Sequence, residues 1–487
     1  MMNGKIRKEP RMAYRQGERQ HRYLFPESLD DYVGPEDPVR AYDAFVDALD
    51  LAALEIAWGP RQVGCPAYDP RVMLKILVYG DSYGIRSSRK LERALHHNVS
   101  FMWLAGGLKP DFKSIARFRR DHRQALASVL KQCARLCIEL DLIEGNTLFV
   151  DGSKFRGNVS LSNRWTVERC ERALARIDER IETLLAECDA VDEREGEAGS
   201  LVKLEKALSQ KHKLKAKVEK ALEKLKSEDL DHVNTTDPEA ASIHSRQGSH
   251  AGYNAQIVVD DQRGLIVHSD VVNDNNDLGP FADQIDAANE TLDQPCQGAC
   301  ADAGFSNAKV LKQIDDQGIE VIVPSSKQAQ GRQAGPFDRS RFRYVAQEDA
   351  YRCPAGTRLP FRRLNGKAGQ REYYPGRGVC TECPHFGSCT RNETTGRKIV
   401  RHGQEALREK LARHDETPEA QAVFRRRKEK VELPFGHLKR NLGVDSFLLR
   451  GLAGVRAEMS LLSTCFNLVR LISLVGLSTL VAKLSPL

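Results

Sequence analysis

The sequence lacks an uninterrupted apolar run long enough to cross a bilayer. Its C-terminal LISLVGLSTLVA, residues 471–482, stops after twelve residues, with Arg470 just before it, and predicts a terminal core helix. The basic N-terminal stretch MMNGKIRKEPRMAYRQGERQ lacks the apolar core of a secretory signal. Extreme charge is absent as well: 74 Lys and Arg against 67 Asp and Glu leave a net charge of +7, which permits an acidic partner without demanding one. The 487 residues are 41% hydrophobic and 29% charged, values of a soluble, well-packed chain of roughly two to four domains. These features predict a cytoplasmic protein with no membrane partner. Cysteine is not scarce. Disulfides rarely persist in that compartment, so the twelve cysteines must be buried, metal-bound or free.

Residues 36–140 carry helical periodicity. PRVMLKILVYGDSYGIRSSRKLERALHHN has apolar residues at helical spacing, a Gly-containing break, and Ser87 or Ser88 as the next N-cap. GGLKPDFKSIARFRRDHRQAL predicts a further helix, with Ile115, Phe118 and Leu126 on one side and Arg117, Arg119, Arg120 and Arg123 largely on the other. Helix, tight turn and arginine-studded helix resemble a helix-turn-helix whose second helix enters the major groove; a solvated basic face on an ordinary bundle fits the same residues. Farther on, Val167, Cys170, Leu174, Ile177, Ile181, Leu184, Cys188 and Val191 alternate spacings of three and four, a coiled-coil seam. The acidic DAVDEREGEAGS breaks it, and a Lys-rich helix follows through about residue 226. The pair predicts an antiparallel helical hairpin, a spacer or dimer arm.

Strand patterns flank this hairpin. The apolar run in TLFVDGSKFRGNVS, residues 147–160, ends in Asp151 and Gly152, which predicts a buried strand with a carboxylate at its tip. Asp151 either caps its own turn or is one ligand of a metal site. YNAQIVVDDQRGLIVHSDVV predicts a β-hairpin, in whose short turn Asp260 and Asp261 are structural. A helix near 279–292, a short strand ending at Asp302, a helix capped by Ser306 or Asn307 and the strand IEVIVP complete a mixed α/β sheet. The chain is helical again from about residue 404.

Asp302 repeats the setting of Asp151: strand end, small residue, then Gly304. Two carboxylates at neighbouring strand ends repel unless a cation joins them, and Mg²⁺ commonly takes one or two carboxylates from a protein. In QAVFRRRKEKVELPFGHLKRNLG, residues 421–443, Glu432 and Lys439 are seven apart, hence on one face of a continuous helix, among Arg425, Arg426, Arg427, Lys428, Lys430 and Arg440. An acid amid such cations makes sense as a metal ligand beside a phosphate-binding surface. Pro434 must kink this helix or start a new one. Cys353, Cys380, Cys383 and Cys389 fall within 37 residues, where average usage gives about one. Their CPxG and CxxC turns suit one structural Zn²⁺, in a segment too polar and aromatic-poor to hold itself together; four unligated buried thiols are the alternative. Cys296 and Cys300 are read as packing.

VDGSK, ADAGFS and VELPFGHLKR, in this order, resemble the three catalytic blocks of bacterial insertion-sequence transposases of the DDE class. GYNAQIVVDD resembles the second strand of that family's core, and PRVMLKILVYGDSYGIRSSRKLE with PDFKSIARFRRDH its N-terminal helices, so the likeness spans about residues 36 to 472. It implies an α/β fold: a ribonuclease-H-like mixed-sheet core with an N-terminal all-α, helix-turn-helix-like domain, an inserted helical hairpin and a Cys-rich, zinc-binding insertion. The implied boundaries are 1–140 for the DNA-binding helices, 141–164 and 231–335 for the first two parts of the core, 165–230 for the hairpin, 336–403 for the insertion and 404–487 for the part carrying the Glu.

Position by position, the resemblance implies Asp151, Asp302 and Glu432 as acids holding two Mg²⁺ or Mn²⁺ ions, with Lys439 as the accompanying base. Arg117, Arg119, Arg120, Arg425, Lys428, Lys439 and Arg440 are the expected DNA contacts. Many relatives place a Tyr and then an Arg ahead of the Glu; here Arg425 and Lys428 hold those places, and the Lys removes a bidentate phosphate fork. The implied activity is metal-dependent cleavage at element ends and strand transfer into target DNA. The implied partners are terminal inverted repeats and target DNA, bound by a homodimer or higher oligomer at the nucleoid. A non-catalytic DNA-binding regulator, or a related nuclease without strand transfer, is the alternative.

Overall fold

The computed structural model describes residues 28–56, 67–160, 164–192, 198–227, 229, 232–245, 248–274, 276–324, 335–365 and 370–484. The basic N-terminal stretch and the side chain of Val191 lie outside that description.

Among the described residues, six α-helices come before the first strand: α1 (Val39–Ala48), α2 (Pro70–Ser82), α3 (Ser88–His97), α4 (Val99–Leu104), α5 (Phe112–Asp121) and α6 (Arg123–Glu139). Short polar side chains start them where expected of N-caps: Asp69 accepts from Arg71 N–H with Pro70 at the first turn, and Asp111 accepts from Ser114 N–H. Ser87 is the N-cap of α3, though its side chain makes no capping bond. The single helix expected over 112–126 is broken at His122, so Ile115 and Phe118 are buried from α5 and Leu126 from α6. These helices share one hydrophobic core with the sheet and the C-terminal helices rather than enclosing a core of their own.

β1 (Thr147–Arg156) follows, then the hairpin β2 (Arg164–Trp165), α7 (Val167–Asp192), α8 (Ala198–Ser227) and β3 (Val233–Asn234). Its seam forms a separate small core in which Cys170, Ile177, Ile181, Val218 and Leu225 are buried, and β2 pairs with β3 at its base. The sheet resumes with β4 (Ala241–Ser245), β5 (Gly248–Asp260), β6 (Ile266–Val272), α9 (Phe281–Leu292), β7 (Gly298–Cys300), α10 (Ala308–Asp316) and β8 (Glu320–Ile322). Strand β5 is antiparallel to β1 on one side and to β6 and β4 on the other, while β7 and β8 continue parallel to β1. In the hairpin turn, Asp260 accepts from the N–H groups of Gly145 and Gln262, and Asp261 pairs with Arg426 at 2.7 Å.

The Cys-rich region corrects an expectation. It is not too poor in aromatics to hold itself together: β9 (Arg343–Val345), β10 (Ala350–Arg352), β11 (Arg358–Asn365), β12 (Gln370–Tyr373) and β13 (Ile399–Arg401) form an antiparallel sheet over a core of Phe342, Tyr351, Leu359, Tyr373 and Ile399. Tyr351 and Tyr373 meet edge to face at 5.2 Å, the arrangement aromatic quadrupoles favour.

The chain ends in α11 (Glu405–His414), α12 (Pro418–Gly436), α13 (Leu452–Val475) and α14 (Leu477–Leu484). Pro434 neither ends α12 nor starts a new helix; α12 runs through it and widens into a π turn at His437–Asn441. Helix α13 is long and apolar enough to cross a membrane, yet 67% of its most apolar window is buried, against α2, α6 and β6. Buried Asn467 ties it to the sheet by accepting from Ile266 N–H and donating to Ile266 O. The run 471–482 is divided between α13 and α14 at Gly476, whose φ of +83° suits a residue without Cβ.

Candidate catalytic site

Asp151 does not stand at a strand tip, as its sequence predicts. β1 continues to Arg156 against β5, but its other neighbour, β7, pairs with it only through Phe149↔Cys300. Two residues on, that parallel register sets Asp302 beside Asp151. β7 stops there because Asp302 turns into a 3₁₀ turn, its carboxylate accepting from Gly304 N–H at 2.8 Å. One strand ends while its neighbour runs on, and the step between them carries two carboxylates.

Alternation along β1 puts Phe149, Asp151, Ser153 and Phe155 on the face covered by α12. Phe155 packs with Phe435, and Lys439 Nζ donates to Ser153 Oγ at 2.5 Å while lying over the Phe155 ring. Burial holds the Lys439 ammonium below its usual pKa, against the pull of Asp151. Burial pushes the Asp151 carboxyl up to about 6; Arg427, its nearest cation at 3.6 Å, pulls it down, and Asp302 and Asp277 push it up.

Asp277 escaped the reading of the sequence. It sits on the opposite face of β1, where it accepts from Asn254 Nδ2 and Gln256 Nε2, both at 2.7 Å. A Cβ on Gly152 would lie 2.6 Å from Asp277 Oδ1 and closer still to Gln256, so glycine is what lets this loop approach the strand. The available signal was Asn254 and Gln256 themselves, two amides on one face of an otherwise apolar strand, which when buried need a partner.

Glu432 stands on the exposed side of α12. Its side chain is 65% exposed and 4.0 Å from Lys428, which is 74% exposed. The π turn interrupts the spacing that would have put Glu432 and Lys439 on one helical face: Lys439 turns toward β1 and Glu432 toward solvent. Arg425 and Arg440 are exposed beside them.

Of the three arginines expected to reach DNA from α5, Arg117 and Arg120 are exposed, Arg120 pairing with Asp121 at 2.8 Å. Arg119 is a correction. It is 7% exposed and points inward, donating to Arg86 O and standing 3.7 Å from buried Asp81. Arg86 in turn pairs with Glu458 of α13 and donates to Ser446 O. These charges join the N-terminal helices to α13, and Arg119 belongs to that junction.

Cys353, Cys380, Cys383 and Cys389 line one cavity of about 20 Å³, with His385 and Arg397 beside them. Two of the sulfurs accept backbone N–H groups, Cys353 from Thr357 at 3.2 Å and Cys380 from Arg397 at 3.4 Å. Cys296 and Cys300 are buried as packing residues.

Among the described residues no three His, Cys, Asp or Glu side chains converge closely enough to hold an ion as they stand. Asp151 and Asp302 nonetheless match the one or two carboxylates that a hard divalent cation takes from a protein when water and phosphate complete its shell.

Two family models match the chain. Residues 27–121, the helices through α5, match a transposase domain (DUF772), and residues 352–472, from β10 through most of α13, match a transposase DDE domain. Glu432 and Lys439 lie inside the second match; Asp151 and Asp302 lie between the two. Neither a curated protein nor a solved structure matches the chain. Both are transposase models, and their presence in one chain, in this order, supports an insertion-sequence transposase of the DDE class.

Proposed function

We propose that this transposase cuts DNA at the ends of its element and joins the released strand to target DNA, using Asp151, Asp302 and Glu432 to hold two Mg²⁺ or Mn²⁺ ions. The observation that carries the reading is the step between β1 and β7, which brings two carboxylates together beside α12. The sheet order β6-β5-β1-β7-β8, antiparallel on one side of β1 and parallel on the other, supports a ribonuclease-H-like core. Bound divalent ions would activate the attacking oxygen and steady the leaving one. In the first step water attacks phosphorus and the P–O3′ bond breaks, leaving a 3′-hydroxyl. In the second that hydroxyl attacks a target phosphodiester, forming one P–O bond as another breaks, so no outside energy source is required.

The protein's own residues hold the substrate. Lys439 reaches β1 from the π turn, and Arg425, Lys428 and Arg440 add a basic surface on α12 and that turn. Glu432 is held by a long, solvent-exposed pair with Lys428, a contact worth little, so it can swing toward an arriving cation. Assembly as a dimer or larger oligomer on two element ends belongs to the same reading. The direct test is incubation of the full-length chain with an end-containing duplex. Cleavage with Mg²⁺ and none with Ca²⁺, whose looser geometry misplaces the nucleophile, is expected. Binding without cleavage under Mg²⁺ or Mn²⁺ would establish a regulator instead.

Two further expectations arise from the surface and the cysteine cavity. Arg117→Ala with Arg120→Ala should weaken binding to the end duplex and flatten the logarithmic salt dependence by about one for each phosphate no longer neutralised. An unchanged slope would leave both as solvated charges. The four cysteines share one cavity, and a tetrahedral Zn²⁺ there would need their sulfurs to draw closer than they stand, with Thr357 and Arg397 N–H groups bonding two of them. Protein purified without chelators should carry about one zinc per chain, and Cys380→Ser with Cys383→Ser should remove it and expose residues 340–400 to protease. Elemental analysis finding none would dismiss the site.

A further inference from the structure

Arg427 is the least satisfied buried cation near the acids. Its side chain is 14% exposed, and its Nε and Nη1 atoms are buried with no hydrogen-bond partner among the described residues. The Nη1 atom stands 3.6 Å from Asp151 Oδ1, an ion pair but too long for a hydrogen bond. The guanidinium lies 5.6 Å from the centre of the Phe424 ring. Its neighbours on α12 behave differently: Arg426 pairs with Asp261, and Lys428 turns to solvent beside Glu432.

Buried N–H donors without acceptors are costly, more so on a charged group, so a guanidinium held this way is arranged for an acceptor that arrives later. That acceptor must come to the step where Asp151 and Asp302 meet. There an anion such as a phosphodiester suits Arg427, because its planar fork presents several N–H groups to phosphate oxygens. Before anything binds, the same cation offsets the charge of Asp151.

We propose that Arg427 is a two-state positioning residue: it is the counter-cation of Asp151 in the empty site, and it donates its unpartnered N–H groups to a non-bridging oxygen of the scissile phosphodiester once a divalent cation engages the carboxylates. The proposal rests on the cleavage reading above for its second half; the first half stands on the Arg427–Asp151 pair alone. It also assigns to Arg427 the fork that Lys428 cannot supply.

The two halves have opposite signatures in the full-length chain. Mn²⁺ alone, without DNA, is titrated and followed by the electron paramagnetic resonance of the free ion. Arg427→Gln removes the competing cation and should bind Mn²⁺ about 5- to 20-fold tighter than wild type. Arg427→Lys keeps the charge and should stay within about threefold. With end duplex and saturating Mn²⁺, both variants should cleave in single turnover at least about 10²-fold more slowly, since lysine keeps the charge but not the fork. Equal or weaker Mn²⁺ binding by Arg427→Gln would overturn the counter-cation role. Wild-type cleavage by Arg427→Lys would overturn the phosphate role. Circular dichroism checks folding, and should Arg427→Gln fail to fold, Arg427→Met, which keeps much of the side-chain packing, replaces it in the Mn²⁺ titration. A wild type that binds DNA but never cuts defeats the cleavage reading and the phosphate half with it, while the Mn²⁺ titration still decides the Arg427–Asp151 pair.

Discussion

Asp151→Asn and Asp302→Asn, each made in the full-length chain, are expected to lower Mg²⁺-dependent cleavage of an end-containing duplex by at least about 10³-fold. Binding to the same duplex should persist or tighten slightly. Each change removes one negative charge beside phosphate and leaves the basic surface of α12 in place. Glu432→Gln should share the loss. Because Glu432 stands exposed on the solvent side of α12, its variant also tests whether that carboxylate turns inward when metal and DNA arrive. The control is Asp261→Asn: Asp261 is also an acid near the end of an apolar strand, but it is occupied by a 2.7 Å pair with Arg426 and should cut normally. A dead Asp261 variant alongside an active Asp302 variant would move the second acid to the hairpin turn. Gel-shift and single-turnover cleavage on the same preparations separate the two readouts.

Arg119→Ala is expected to destabilise the protein rather than to loosen its hold on DNA. Removing one partner of a buried ionic group leaves the other uncompensated, at a cost of about 3–5 kcal/mol. Asp81, 3% exposed, is the carboxyl left behind. Burial already pushes its pKa up to about 6, against the pull of Arg119 first and Arg86 second, with Glu458 pushing it higher. An acid whose folded pKa lies above its unfolded value favours the folded state while protonated, and that contribution is lost as pH rises from about 4 through the folded pKa. Without Arg119 the folded pKa climbs further, so the loss extends to higher pH. The destabilisation caused by Arg119→Ala should therefore be larger at pH 8 than at pH 5, read from urea midpoints with the slope unchanged. Lower DNA affinity at full stability would return Arg119 to the DNA-facing surface.

Much of the molecule was legible before folding because the evidence for it is local. The seam from Val167 to Cys188 shows in its three-four spacing, and the strand-and-turn pattern around Asp260 foretells a hairpin in which Asp260 caps backbone N–H groups. Asp151 and Asp302 each follow an apolar run and precede a glycine, and the order of the three blocks joined them to a family. Tertiary structure decided what depends on partners far along the chain. Arg117, Arg119 and Arg120 carry the same charge on one short helix, yet only Arg119 turns inward, because Asp81 and the carbonyl of Arg86 lie under that face. Likewise Arg427 rather than Lys428 meets the acids, since α12 crosses β1 with that side down, and the π turn alone separates the directions of Glu432 and Lys439. Periodicity in a sequence reveals which face of an element is apolar. Which charge that face can bury is set by the acceptors other elements bring to it, and those exist only once the chain has folded.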